Sequence, residues 1–281
     1  MQMRFSTCRL FACLAVVALA ALPMVAAAED RDPCKTQSGE LSVAECSRAI
    51  DSHQYTGRSL ARLHVGRGMA YQAQGDLARA MADFNESMRV DPTYPSAYNN
   101  RGIVWYRRGD LDRAIADYDQ AIRLDPKYEY AYANRGAAWA TKGDPDRAIA
   151  DFDHAIRLDP KDGEAYYNRG LAWKIKGNFD RAITDYSEAI RLDPKNARAY
   201  VNRGGAWGTN GDLDRAIADF NQAIRLDPKE AQAYYNRGIA WEKKRRLRKA
   251  LADFKMHSQL APSDPEGPKA VQRVLKELSA R

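Results

Sequence analysis

Five asparagines recur at a fixed interval: Asn100, Asn134, Asn168, Asn202 and Asn236, each 34 residues from the last. A side-chain amide carries a carbonyl acceptor beside an NH2 donor, the hydrogen-bonding pattern of a peptide group. A row of them suits an extended polypeptide backbone whatever its side chains, so the chemistry on offer is recognition. Groups that could make or break bonds do not converge. The four histidines, His53, His64, His154 and His257, stand apart, none with a second histidine or an acid at metal-ligand spacing. There is no nucleophile elbow, phosphate loop or HExxH helix. Gly204, Gly205, Gly208 and Gly211 imitate a glycine-rich loop, but their surroundings read as a helix interior. The chain is therefore expected not to be an enzyme, with no catalytic residue, metal or cofactor.

The elements that carry the asparagines follow from the same interval. Each asparagine opens an Asn-Arg-Gly triplet, and Gly66-Arg67-Gly68 extends the series one step upstream. Counting copies from Ala61, Pro95, Glu129, Gly163, Ala197 and Ala231, position 8 is always glycine and position 20 always alanine. Position 11 is Tyr71 and then Trp105, Trp139, Trp173, Trp207 and Trp241, while position 24 is phenylalanine or tyrosine in every copy from Phe84 to Phe254. Positions 4, 8 and 11 share one helical stripe, and 20, 24 and 27 share another, so each copy holds two helices. Gly-Asp pairs such as Gly109-Asp110 end the first helix and cap the second. Leu-Asp-Pro, as in Leu124-Asp125-Pro126, closes the copy. The small residues let the helices approach and the aromatics fill the space beside them. Arginine at position 7 and aspartate at position 23, for example Arg101 and Asp117, are expected to pair within each copy.

Over residues 61–264 this pattern resembles the tetratricopeptide-repeat family. The resemblance implies an all-α fold, a right-handed α-solenoid of six repeats: 61–94, 95–128, 129–162, 163–196, 197–230 and 231–264. Arginine at position 7 departs from the leucine usual there. The resemblance also implies that first helices line a concave groove through positions 2, 5, 6, 9, 12 and 13. The asparagines stand at position 6, similar to the ladder in the tetratricopeptide superhelix of the O-linked GlcNAc transferase. Two readings stand: the ladder holds a partner's backbone, or it bonds neighbouring helices of the array. Groove candidates beside it are Asn99, Ile103, Tyr106, Arg107, Tyr130, Tyr167, Leu171, Lys174, Ile175, Tyr235, Ile239 and Glu242, with a hollow expected at Gly205 and Gly208. The lysine and asparagine of a carboxylate clamp are missing at positions 5 and 9, which argues against recognition of a chaperone tail.

The ends differ. Arg4 and Arg9, the apolar run from Leu10 to Leu22 and the small residues before Glu29 have the layout of a signal peptide over 1–28. A retained anchor is the alternative. A periplasmic or secreted location follows, and there Cys34 and Cys46 suggest one disulfide; two unrelated thiols are the other reading. Residues 29–60 read as a cap with a degenerate half repeat. Residues 265–281 read as a capping helix whose stripe is Val271, Val274, Leu275 and Leu278. Removing the signal lowers the net charge from +7 to +5, too mild to argue for nucleic acid. Repeat six replaces its turn with Lys243, Lys244, Arg245, Arg246, Leu247, Arg248 and Lys249. This basic patch is either a solvated turn or a peripheral contact with anionic lipid or cell-wall polymer. The function expected is a scaffold binding another protein or peptide segment within an envelope assembly, with surface association through the basic patch as the alternative.

Overall fold

A computed structural model describes Cys34 and residues 41–280. The expected signal peptide lies outside the described residues. Among those described there are fourteen helices and no strand. The short α1 (Val43–Asp51) comes first. Six hairpins follow: α2 (Gly57–Ala73) with α3 (Leu77–Val90), α4 (Pro95–Arg107) with α5 (Leu111–Leu124), and α6 (Glu129–Thr141) with α7 (Pro145–Leu158). Then come α8 (Gly163–Ile175) with α9 (Phe179–Leu192), α10 (Ala197–Thr209) with α11 (Leu213–Leu226), α12 (Ala231–Lys243) with α13 (Leu247–Leu260), and finally α14 (Glu266–Ser279).

Close approach within each hairpin depends on the position 8 glycine. A Cβ on Gly102 would lie 2.6 Å from the Tyr118 ring, and one on Gly170 2.7 Å from Tyr186. No side chain fits, and the aromatic ring occupies the space instead; Phe84, Tyr118, Phe152, Tyr186, Phe220 and Phe254 are all buried. The turn between the helices needs glycine for a different reason. Gly75, Gly109, Gly143, Gly177 and Gly211 have φ between 75° and 86°, where a side chain is strained. The next residue, Asp76, Asp110, Asp144, Asn178 or Asp212, caps the second helix by accepting the backbone N–H three residues on. Repeat six breaks both rules: Arg245 holds φ 59° and Arg246 makes no side-chain cap.

The arginine at position 7 does more than pair within its hairpin. Arg135 grips Asp151 with two bonds (2.6 and 2.8 Å) and reaches Asp119 of the preceding repeat with a third (2.5 Å). All six copies share the arrangement, the third acceptor being Ser47, Asn85, Asp119, Asp153, Ser187 or Asn221. Each guanidinium therefore ties together three helices, and the fork geometry matches the carboxylate face to face. A second stitch runs along another edge: Lys142 to Asp112, Lys176 to Asp146 and Lys244 to Asp214, with Asn210 and Asp180 taking the same places (2.7 Å). The position 11 tryptophans are half-buried, and a cation lies over each ring. Arg147, for example, lies 3.9 Å from the Trp139 centroid.

At the ends the array is closed differently. Cys34 and Cys46 are buried with Leu63 against α2, their Cα atoms 4.3 Å apart. At the other end α14 packs on α13 through Gly267, Ala270 and Val274, flanked by Val271 and Leu278. Leu275, expected on that stripe, is 46% exposed. The seam is centred on Ala270 and Val274, and a helical advance of about 100° per residue carries Leu275 to its edge.

Candidate functional site

Successive first helices, α2, α4, α6, α8, α10 and α12, touch one another as well as their own partners, whereas the second helices are held apart. Closer spacing on one side bends the stack, and the first helices line the inner face. Positions 2, 5, 6, 9, 12 and 13 belong to these helices.

The asparagine ladder is already partly engaged within the array. Asn100 donates to the Ser96 carbonyl (2.8 Å) and hydroxyl (3.1 Å), one turn back on its own helix. Asn134 donates across repeats to Asn99 Oδ1 (2.9 Å). Asn202 donates to the Arg198 carbonyl (3.0 Å) and the Tyr167 hydroxyl (3.1 Å), and accepts from Lys174 Nζ (3.0 Å). Asn236 accepts from Gln232 Nε2 (2.9 Å). The middle member, Asn168, is half-buried in the row between Asn134 and Asn202.

The aromatic candidates divide between packing and exposure. Tyr167 is 6% exposed, with its ring 5.9 Å from that of Tyr186; Tyr235 packs 5.6 Å from Phe254 and 4.9 Å from His257. Burial pushes the Tyr167 phenol above its ordinary range, so it remains a neutral hydroxyl that can both donate and accept. Leu171 is packed against the repeat-four core. Tyr106 bonds Thr141 of the next repeat (2.8 Å), and Arg107 is exposed. Tyr130 is 60% exposed, standing edge-on to Tyr128.

A hollow of about 540 Å³ opens on the inner face around repeat five. Gly205 and Gly208 lie on its floor, where a Cβ on Gly205 would meet nothing within 4 Å. Phe220 and Leu213 lie beneath, and Val201 and Ile239 supply apolar wall. The structure brings Tyr167, Lys174, Asn202 and Asn236 to this hollow, and adds Arg198, Glu230 and Gln232, which the sequence did not single out. Asn100, Asn134, Asn168, Tyr106, Arg107, Tyr130, Leu171 and Tyr235 are not part of its lining.

The basic run is dispersed by its own geometry. Lys243 ends α12 and lines the hollow. Lys244 pairs with Asp214 and Arg245 with Glu277, while Lys249 covers the Trp241 ring at 4.5 Å. Arg246 and Arg248 are exposed. Among the described residues no group of three His, Cys, Asp or Glu side chains is arranged to hold a metal ion, and no helix is long and apolar enough to cross a membrane.

Paired helices, repeated at a fixed interval and curved around one face, define an α-solenoid built for contact with other macromolecules. A tetratricopeptide-repeat model matches residues 65–129, 137–197 and 176–221, and a TPR-repeat model matches 209–244. The chain belongs to the tetratricopeptide-repeat family. Among solved structures it is similar to YrrB, described as a TPR protein with an unusual peptide-binding site (24% identity, TM-score 0.58, covering 67% of this chain and 97% of that one). It is also similar to MamA (28%, TM-score 0.55, 58% and 95% of the two chains) and to PilF of Pseudomonas aeruginosa (14%, TM-score 0.67, 83% and 99%). No curated protein matches the chain. Members of this family serve in general as protein-interaction scaffolds, and that role is the one the fold supports here.

Proposed function

We propose that this chain is a non-catalytic scaffold that binds an extended polypeptide along its inner face, in a cell-envelope assembly. The observation that carries the reading is where the repeat varies. Positions 7, 8, 20 and 23 hold one residue type through all six copies, whereas position 9 runs Met69, Ile103, Ala137, Leu171, Gly205, Ile239 and position 12 runs Gln72, Tyr106, Ala140, Lys174, Gly208, Glu242. A surface that only held the array together would repeat its side chains as the interior does. The asparagines give such a groove regularly spaced amides, and selectivity falls to their variable neighbours, because each net hydrogen bond contributes only about 0.5–1.5 kcal/mol. The signal-like segment at 1–28 supports export, and the side-by-side burial of Cys34 and Cys46 supports a disulfide formed there.

The full chain, used to capture partners from an envelope extract with identification by mass spectrometry, supplies the ligand for the test. Asn168→Ala is the cleanest probe, because no bond within the array is expected to be lost with it. Its melting temperature should be unchanged, and affinity for the captured polypeptide should fall by about 0.5–1.5 kcal/mol in calorimetric titration. A partner whose affinity is indifferent to Asn168→Ala, Tyr130→Ala and Leu171→Asp alike binds elsewhere, and the groove reading is then wrong.

A further inference from the structure

The hollow of repeat five combines an apolar floor with a mainly basic rim. Its walls come from α8, α10 and α12, so it exists only in the assembled array. Its floor at Gly205 is open and its flank at Ile239 apolar. Three cations edge it, Lys174, Arg198 and Lys243, against a single acid, Glu230. Two of those cations are lightly held: Lys174 contacts only the neutral amide of Asn202 (3.0 Å), and Arg198 stands 3.7 Å from Glu164 and 5.3 Å from the Tyr167 centroid. The volume lies within the range of pockets that take a bulky group.

We propose that this hollow is a specificity pocket for one large apolar side chain of a peptide segment whose neighbouring residues are acidic. Apolar floor and wall gain by burying a ring or branched side chain. Carboxylates on either side of that residue would meet the cations of the rim, Lys174, Arg198 and Lys243, on three successive first helices, which fixes the peptide's position along the groove. A basic segment would place like charges against this rim, and a peptide without a large side chain would leave the floor unfilled. The assignment rests on the reading of the inner face as a polypeptide-binding surface, and it adds where and by what chemistry that surface selects.

The test uses the full chain and three labelled nonapeptides followed by fluorescence anisotropy. One has a central phenylalanine with two aspartates on each side; the second has glycine at the centre; the third keeps phenylalanine and replaces the aspartates with lysines. The first should bind at least about tenfold more tightly than the second, the contribution of one buried aromatic side chain, and the third should not bind measurably. Gly205→Leu fills the hollow from within at a position where a Cβ meets nothing within 4 Å, and leucine is the better helix former. It should abolish the advantage of the first peptide while leaving the melting temperature equal or higher, a combination that structural damage cannot produce. Lys174→Glu combined with Lys243→Glu should remove the preference for aspartate and keep that for phenylalanine. Equal binding of the first two peptides, or full binding of the first by Gly205→Leu, overturns the pocket. If those two peptides bind equally and both weaken in Asn168→Ala, the groove reading survives and only the pocket falls. No binding by any of the three overturns the acidic-peptide assignment, while the groove is judged separately by the captured partner.

Discussion

The triple grip of Arg135 makes a quantitative prediction about what replaces the usual position 7 leucine. Its guanidinium is about one-fifth exposed and Asp151 less than one-tenth, so both charges are largely out of water. Removing Asp151 by Asp151→Ala deletes two of three charge-assisted bonds and leaves the arginine with Asp119 alone. Two such bonds contribute about 3–6 kcal/mol where both partners are fully buried. Water reaching the exposed fifth of the guanidinium returns part of that, and about 2–4 kcal/mol remains as the expected loss. Arg135→Leu should cost more, about 3–5 kcal/mol, because it leaves the more deeply buried carboxylate without its donor. Arg135→Leu with Asp151→Ala removes both desolvation penalties and should return to within about 1–2 kcal/mol of wild type. The double-mutant cycle therefore closes on a coupling of several kcal/mol.

Urea unfolding of the four proteins, followed by circular dichroism, gives the cycle, and amide exchange in α6 and α7 locates it. The local measurement matters because an array unfolds through nearest-neighbour interfaces rather than as one unit. The coupling should persist at high salt, since a largely buried pair is weakly screened. A coupling below about 0.5 kcal/mol, or a larger cost for Asp151→Ala than for Arg135→Leu, refutes the reasoning.

Three further outcomes follow from the same geometry. Arg245→Gly with Arg246→Asp restores the turn and cap of repeat six and should raise stability by about 1–2 kcal/mol in thermal unfolding, from a left-handed residue relieved and a helix N-terminus capped. Gly102→Ala drives a Cβ to 2.6 Å from the Tyr118 ring and should destabilise by about 1–3 kcal/mol, with amide exchange rising first in α4 and α5. If Cys34 and Cys46 are bonded in the native chain, neither will react with a thiol label before reduction, and Cys34→Ser with Cys46→Ser should lower stability by about 3 kcal/mol, the contribution expected of a loop this size; labelling of both without reductant refutes the pairing.

What the sequence made legible was whatever repeats in residue type. Helix phase, the glycine against an aromatic ring and the Arg–Asp pair are each fixed within one repeat and recur in all six copies, and the glycine turn recurs in five. The third acceptor of each arginine was not legible, because serine, asparagine and aspartate all serve and the partner lies in the repeat before. The separate settings of the cations in the basic run were not legible either. Six cations adjacent in sequence read as one patch, but successive residues point about 100° apart around a helix and turn. Lys243 therefore faces the hollow, Lys244 and Arg245 meet acids, and Lys249 takes the place beside tryptophan that arginine holds in the earlier repeats.

The same division explains how one sequence can hold a rigid array and a selective face together. Stitching between repeats is carried by the arginine fork, the packed rings at position 24 and the outer ladder of Lys142, Lys176 and Lys244. None of these uses positions 9 or 12, so side chains there can change size and charge while the main stitches hold, even where Tyr106 and Lys174 add single bonds to the next repeat. Glycine at both positions in repeat five is the limit of that freedom. An interior helical glycine costs roughly 1 kcal/mol against alanine, and two of them weaken α10 locally. The helix remains in register because Arg203 bonds Asp219 (2.7 and 2.8 Å) and Ser187 (3.0 Å), spanning both neighbouring second helices. Strong stitching on one set of positions is what permits the inner face to open a cavity without unfolding the helix that floors it.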